Sequence, residues 1–227
     1  MKILNIIFSV GFVILFIVSC SEPVSQKEEI DQVNNNILEP VSYMNVVITD
    51  NFWKPKIEQS QKVGIWHSLG KLENSIMNFD IAAGKAEGDH KINLASDSDV
   101  YKIIEGAAYS LHHSPDEKLE SKIDSLIDKI VAAQQSDGYL FTYWIIKDLS
   151  QKWVDLEKKH ELYCAGHMIE AAVAYYQVTG KRKFLDAAVR FADHIDSIFG
   201  PQKRREVAGH QEIELALFKL YKVTGEK

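Results

Sequence analysis

The sequence predicts an all-α chain assembled from repeated αα-hairpins, with one short strand in front of them. Three observations carry this. After Asp50 the apolar residues recur at helical spacing. A helix–turn–helix block then repeats, since Glu105 and Glu170, Leu119 and Phe184, and Ile123 and Ala188 share one offset of 65 residues. Finally, Val178-Thr179-Gly180-Lys181 and Val223-Thr224-Gly225-Glu226 repeat one helix-ending signal, with glycine where a left-handed residue closes a helix. Repeated helical hairpins build α-solenoids or α/α toroids. Units of unequal length separated by long loops favour the toroid.

Composition sets the outer limits. Of 227 residues, 46% are hydrophobic and 26% charged, enough for a packed core and incompatible with wholesale disorder. A net charge of −6 argues against nucleic acid as a partner, because phosphate binding wants a basic face. Two cysteines supply neither a disulfide framework nor a thiolate-rich metal site.

Taken in order, the chain opens with an export signal over residues 1–19. Lys2 is its positive end, and Ile3 to Val18 is an apolar run of about sixteen residues, short for a membrane span. Ile17-Val18-Ser19-Cys20 is similar to a bacterial lipobox, which makes Cys20 the lipidation site, with an ordinary signal peptide as the alternative. Residues 20–42 then read as a flexible tether rich in Asn and charge. The expectation is an exported, membrane-anchored lipoprotein, periplasmic or at the cell surface. Assigning Cys20 to lipid leaves Cys164 without a disulfide partner, either a buried small hydrophobe or a functional group.

The folded part spans 43–227. Tyr43 to Ile48 is β-prone and reads as the one strand. The first hairpin runs from Glu105-Gly106-Ala107-Ala108-Tyr109 through the Ser114-Pro115 turn to the apolar series Leu119, Ile123, Leu126, Ile127 and Ile130. In the second, Glu170 to Tyr175 leads through Thr179-Gly180 to Phe184, Leu185, Ala188, Val189, Ala192 and Ile195. The third opens at Gly209-His210 and reaches Gly225 without a partner helix, which reads as a truncation. Helix faces meant for neighbours would then favour non-specific self-association.

Candidate chemistry sits between the helices. Gly138 to Trp144 is a dense aromatic run after an Asp137-Gly138 turn, suited either to stacking on a sugar ring or to joining two hairpins as core. His160-Glu161-Leu162-Tyr163-Cys164-Ala165-Gly166-His167 holds the densest set of reactive groups. On a continuous helix His160, Cys164 and His167 share one side, so a zinc site is conceivable. Cleft-lining histidines that hydrogen-bond a ligand, and plain packing, are the alternatives. Gly209-His210-Gln211-Glu212-Ile213-Glu214 is the parallel block. Glu212 and Glu214 point to different sides of a helix, and nothing local supplies a glycosidase carboxylate pair. His67, His90, His112, His113 and His194 show no convergent partners and read as surface or packing residues.

Several stretches, in order, carry a resemblance: Ile48-Thr49-Asp50-Asn51-Phe52-Trp53-Lys54-Pro55-Lys56, Asn78-Phe79-Asp80-Ile81-Ala82-Ala83-Gly84, Asp97-Ser98-Asp99-Val100, Gly138-Tyr139-Leu140, the His160–His167 block, and Gly209-His210 with Glu212-Ile213-Glu214-Leu215-Ala216. Together they resemble the N-terminal part of the β-L-arabinofuranosidase family, glycoside hydrolase family 127, and its relative family 146. The resemblance implies an (α/α)6 toroid, incomplete in this chain, and retaining hydrolysis of terminal β-L-arabinofuranosyl units from plant glycans. It implies a zinc-held cysteine nucleophile and a glutamate acid/base, all from a later part of the barrel. No position here matches them, so this chain has no catalytic residue, no metal ligand and no bound zinc by this reading, and is inactive alone. What carries over is sugar binding by His160 and His210, with Phe79, Thr142, Tyr143 and His167 as further pocket residues. Phe141 stands where family members often have Asn after Gly-Tyr-Leu.

The reading is therefore a fragment of an exported glycoside hydrolase whose partner is an arabinose-containing glycan. The alternative is a non-catalytic glycan-binding lipoprotein. An unsaturated-uronide hydrolase would need a catalytic Asp on these hairpins, and none can be placed.

Overall fold

The computed structural model describes residues 41–226. The export signal, Cys20 and all but the end of the tether lie outside the described residues. No helix among the described residues is long and apolar enough to cross a membrane. The described residues are all-α, as their periodicity predicts.

The expected strand at Tyr43–Ile48 does not form. Ser42 Oγ accepts the Met44 N–H at 3.3 Å and caps a 3-10 turn over Tyr43–Asn45. Val46 is extended, but no strand among the described residues pairs with it. β propensity reports fit to a sheet, and without a neighbouring strand it has nothing to fit.

Further along, Asp50 Oδ1 accepts the N–H groups of Phe52 and Trp53 at 2.8 and 2.6 Å, fixing the start of α1 (Trp53–Gln59). This helix passes through a π-helical turn at Ser60–Gly64 into α2 (Ile65–Lys71), followed by α3 (Glu73–Ala82).

The predicted hairpins then appear in order. The first is α4 (Ser96–His113) and α5 (Glu117–Ala133), joined at Ser114–Asp116. There Asp116 Oδ1 accepts from Lys118 N–H and Leu119 N–H at 2.9 and 3.0 Å, satisfying two donors that a helix start leaves open. After the short α6 (Thr142–Lys147) comes the second hairpin, α7 (Glu161–Thr179) and α8 (Lys183–Ile198), and then α9 (Ile213–Thr224). Gly180 and Gly225 close α7 and α9 at φ +72° and +75°, the left-handed geometry expected of the repeated signal.

α7 is the central helix, packed against α4, α8 and α9. It is buried on nearly all sides, and its run of Ala165, Gly166, Ala171, Ala172 and Ala174 lets those neighbours approach closely. α4, α7 and α9 form one layer. α5 and α8 form the second, contributing Leu119, Ile123, Ile130, Phe184, Phe191 and Ile195 to the core between them. On α9, Leu215 and Phe218 remain exposed.

Candidate functional site

His160 opens the site from the residue before α7. Its φ of +59° is left-handed, a conformation that costs a residue with a β-carbon about 1–2 kcal/mol. The consequence is that the helix begins at Glu161, and the three-residue face expected for His160, Cys164 and His167 does not exist. Cys164 turns into the core, its thiol 3.8 Å from the Ala95 carbonyl oxygen. Burial pushes that thiol well above its ordinary pKa, with Asp97 adding to the effect.

His210 comes to His160 from the loop before α9. The two Nε2 atoms lie 3.0 Å apart and the rings 4.8 Å between centroids. His160 Nδ1 lies 2.9 Å from the Lys158 carbonyl oxygen, which can only accept. His160 therefore carries its proton on Nδ1, its Nε2 is an acceptor, and His210 Nε2–H donates to it. Tyr163 holds the pair together. Its ring meets His160 edge-on at 5.7 Å, His210 at 5.0 Å and His167 at 4.5 Å, while its hydroxyl accepts from Lys102 Nζ at 2.7 Å.

Two glycines make this meeting possible. A β-carbon on Gly209 would stand 2.1 Å from the Glu157 carbonyl oxygen, and one on Gly166 would stand 2.6 Å from Glu212 Cγ. Gly209 sets the loop carrying His210 against the chain before α7, and Gly166 lets the start of α9 close onto α7.

Of the remaining pocket candidates, Thr142 and Tyr143 gather around His90, which also meets Asn78 beside Phe79. Phe79 lies in the core against Tyr101, 1% exposed, and presents no face to a ligand. Thr142 is fully buried, its N–H and hydroxyl given to Asp97 at 2.8 and 2.5 Å. Burial raises the Asp97 pKa to about 6 against the pull of those two bonds. Tyr143 is half-buried beside His90, ring centroids 5.1 Å apart. Most of the aromatic run at Gly138–Trp144 is core: Tyr139, Leu140 and Phe141 are at most 1% exposed, so of its two readings packing is the one that holds.

Three arrangements were not legible in the sequence. His90 does have partners, with Nε2 at 3.1 Å from both Asn78 Nδ2 and Thr142 Oγ1. Burial, helped by Lys147, lowers its pKa to about 4. Glu161 is buried, accepting the Tyr139 hydroxyl at 2.6 Å and the Trp153 N–H at 3.0 and 3.1 Å through its two oxygens. Third, Glu170 and Glu212 meet between α7 and α9, although no local pattern announces a carboxylate pair. Their oxygens lie within 4.8 Å of each other, closer than the spacing a glycosidase pair needs. Burial and then the Glu170 carboxyl raise the Glu212 pKa to about 8. Glu170, although burial pushes it upward, is held below its ordinary value by Glu212 and Lys219. His167, lowered to about 4 by burial and by Lys102, is neutral. Among the described residues, the one set of metal-ligating atoms that converges is His167, Glu170 and Glu212, all within 4.8 Å of one another.

Comparison with known proteins bears on the whole arrangement. The family model for the β-L-arabinofuranosidase GH127 catalytic domain matches residues 45–227. The non-reducing end β-L-arabinofuranosidase of Bifidobacterium longum subsp. longum is 41% identical over 213 residues, covering 81% of this chain and 32% of that protein. The crystal structure of a GH127 β-L-arabinofuranosidase from Geobacillus stearothermophilus T6 matches with a TM-score of 0.79 and 44% identity, over 80% of this chain and 30% of that one. The GH127 β-arabinofuranosidase BT3674 matches with a TM-score of 0.76 and 43% identity, over 83% and 32%. The chain thus spans about a third of the length of these relatives. With the family model covering most of it, this chain belongs to the GH127 β-L-arabinofuranosidase family.

Proposed function

We propose that this chain is the sugar-recognising N-terminal portion of an exported glycoside hydrolase that releases non-reducing-end β-L-arabinofuranosyl units from arabinose-containing glycans. The observation that carries this is the His160–His210 pair. Its polarity is fixed by the Lys158 carbonyl. A sugar hydroxyl entering between the rings accepts from His210 Nε2–H and donates to His160 Nε2. One imidazole–imidazole bond is thereby exchanged for two bonds to the ligand. Tyr163 keeps the rings in place, and its half-buried aromatic face suits the apolar side of a furanose.

The zinc-held cysteine nucleophile and glutamate acid/base that the resemblance implies match no position in this chain, and Cys164 is buried in the core. The reading places the nucleophile in a later part of the enzyme, with these hairpins forming part of an α/α toroid. The apolar run before Ser19-Cys20 supports export and a lipid anchor.

Titration of methyl β-L-arabinofuranoside into the purified chain tests the proposal. The expected outcome is roughly millimolar affinity and no hydrolysis, with His160→Ala and His210→Ala each weakening binding about tenfold or more. No detectable affinity in the parent removes the sugar-binding reading. Hydrolysis by the parent that a chelator abolishes would overturn the placement of the catalytic groups.

A further inference from the structure

Where α7 meets α9, Glu170 and Glu212 come together beside His167. Glu212 Oε1 and His167 Nδ1 face each other 3.3 Å apart, both buried and neither placed in a hydrogen bond. Two polar atoms without a placed hydrogen bond at the junction of two helices carry a desolvation cost.

We propose that His167, Glu170 and Glu212 form a binding site for one divalent cation of the Zn2+ or Mn2+ class, which pins the start of α9 to α7. The three donors are His167 Nδ1, Glu170 Oε2 and Glu212 Oε1. His167 Nδ1 lies 3.3 Å from Glu212 Oε1 and 3.7 Å from Glu170 Oε2. Ligands at bond lengths of 2.0–2.1 Å around a tetrahedral ion stand about 3.3 Å apart, so the donors need move little to close on it. One imidazole with two carboxylates is a donor set that these borderline cations accept.

The surroundings fit the role. Lys219 holds the other oxygen of Glu170, leaving Oε2 aimed at the site. The edge-on contact with Tyr163 fixes the His167 ring. Such outer contacts orient ligands and sharpen affinity. With both carboxylates ionised, His167 neutral and Lys219 charged, the group carries one net negative charge to meet the ion. The His167 and Glu212 side chains keep 14% and 16% of their surface open, while the donor atoms themselves are buried. Glu170, at 8%, forms the floor. None of this depends on what sugar, if any, the histidine pair binds.

The test titrates Zn2+ and Mn2+ separately into the purified chain, by calorimetry and by thermal unfolding. One ion per chain is expected, raising the unfolding midpoint by about 5 °C or more at a hundredfold excess over Kd. Glu212→Gln keeps a hydrogen bond to Glu170 without an anionic ligand, so its metal-free midpoint should stay near the parent's while affinity falls about tenfold or more. His167→Gln gives a second reading should Glu212→Gln fail to fold. Absence of binding, or binding unaltered by both ligand substitutions, overturns the proposal.

Discussion

Replacing Gly209 with alanine is expected to weaken sugar binding at least as much as removing His210, by about tenfold or more, although no atom of Gly209 would touch the ligand. The new β-carbon would stand 2.1 Å from the Glu157 carbonyl oxygen and 3.0 Å from its carbon. A flexible side chain can swing away from such a clash, but a backbone carbonyl cannot, so the loop itself must shift by about 1 Å. The loop is held here by the Gly209 N–H, 3.3 Å from the Leu156 carbonyl oxygen, and His210 follows directly. The 3.0 Å approach of the two imidazoles does not survive a shift of that size. Overpacking of this kind costs about 1–3 kcal/mol of stability. A combined thermal melt and arabinofuranoside titration separates the two effects. Parental affinity in Gly209→Ala would show that close approach at Gly209 does not position His210.

The largest loss of stability is expected at Glu161. Its carboxylate is fully buried and carries no cationic partner within the hydrogen-bonding set around it. Burial raises its pKa, and the bonds from Tyr139 and Trp153 oppose that rise. Those same bonds hold Trp153 at a left-handed φ of +62°. Beyond it, the indole N–H donates to His194 Nε2 at 3.2 Å, while His194 Nδ1 sits 2.9 Å from the Asp137 carbonyl oxygen. Glu161→Ala strands the Tyr139 hydroxyl and the Trp153 N–H in a dry core, a loss of about 3–5 kcal/mol. For a chain of this size that lowers the unfolding midpoint by about 10 °C. Glu161→Gln keeps one acceptor oxygen but turns an amino group toward a donor, and should lose roughly half as much. A melt followed by circular dichroism checks both. An unchanged midpoint in Glu161→Ala would mean that the network is not what joins the aromatic segment to α7.

Much of the helical scaffold could be read from the chain because its signals are local. The apolar spacing of α5 and α8, the Ser114–Asp116 turn, and Gly180 and Gly225 each act within a few residues. The His160–His167 and Gly209–Glu212 blocks stand out in the chain for the same reason. Where the reading failed, distance was the cause. His160 caps α7 in a left-handed conformation, and nothing in its immediate neighbours distinguishes that from a helical start. Glu170 and Glu212 are 42 positions apart and meet only because Gly166 admits the start of α9. His90 finds Asn78 and Thr142 across three separate elements. Tyr43–Ile48 has strand chemistry, but pairing requires a partner that local sequence cannot announce. Phe79 belongs to a segment that carries the family resemblance, yet its ring packs against Tyr101 and lines no cleft.

The central claim is that His160 and His210 grip a sugar hydroxyl between their Nε2 atoms. Nitrogen-15 and proton NMR of the histidine rings during titration with methyl β-L-arabinofuranoside tests it most directly. The account predicts that the Nε2 resonances of His160 and His210 move together and saturate at one ligand concentration, while His194, locked between Trp153 and Asp137, stays still. Saturable binding that leaves both of those resonances unmoved would contradict it.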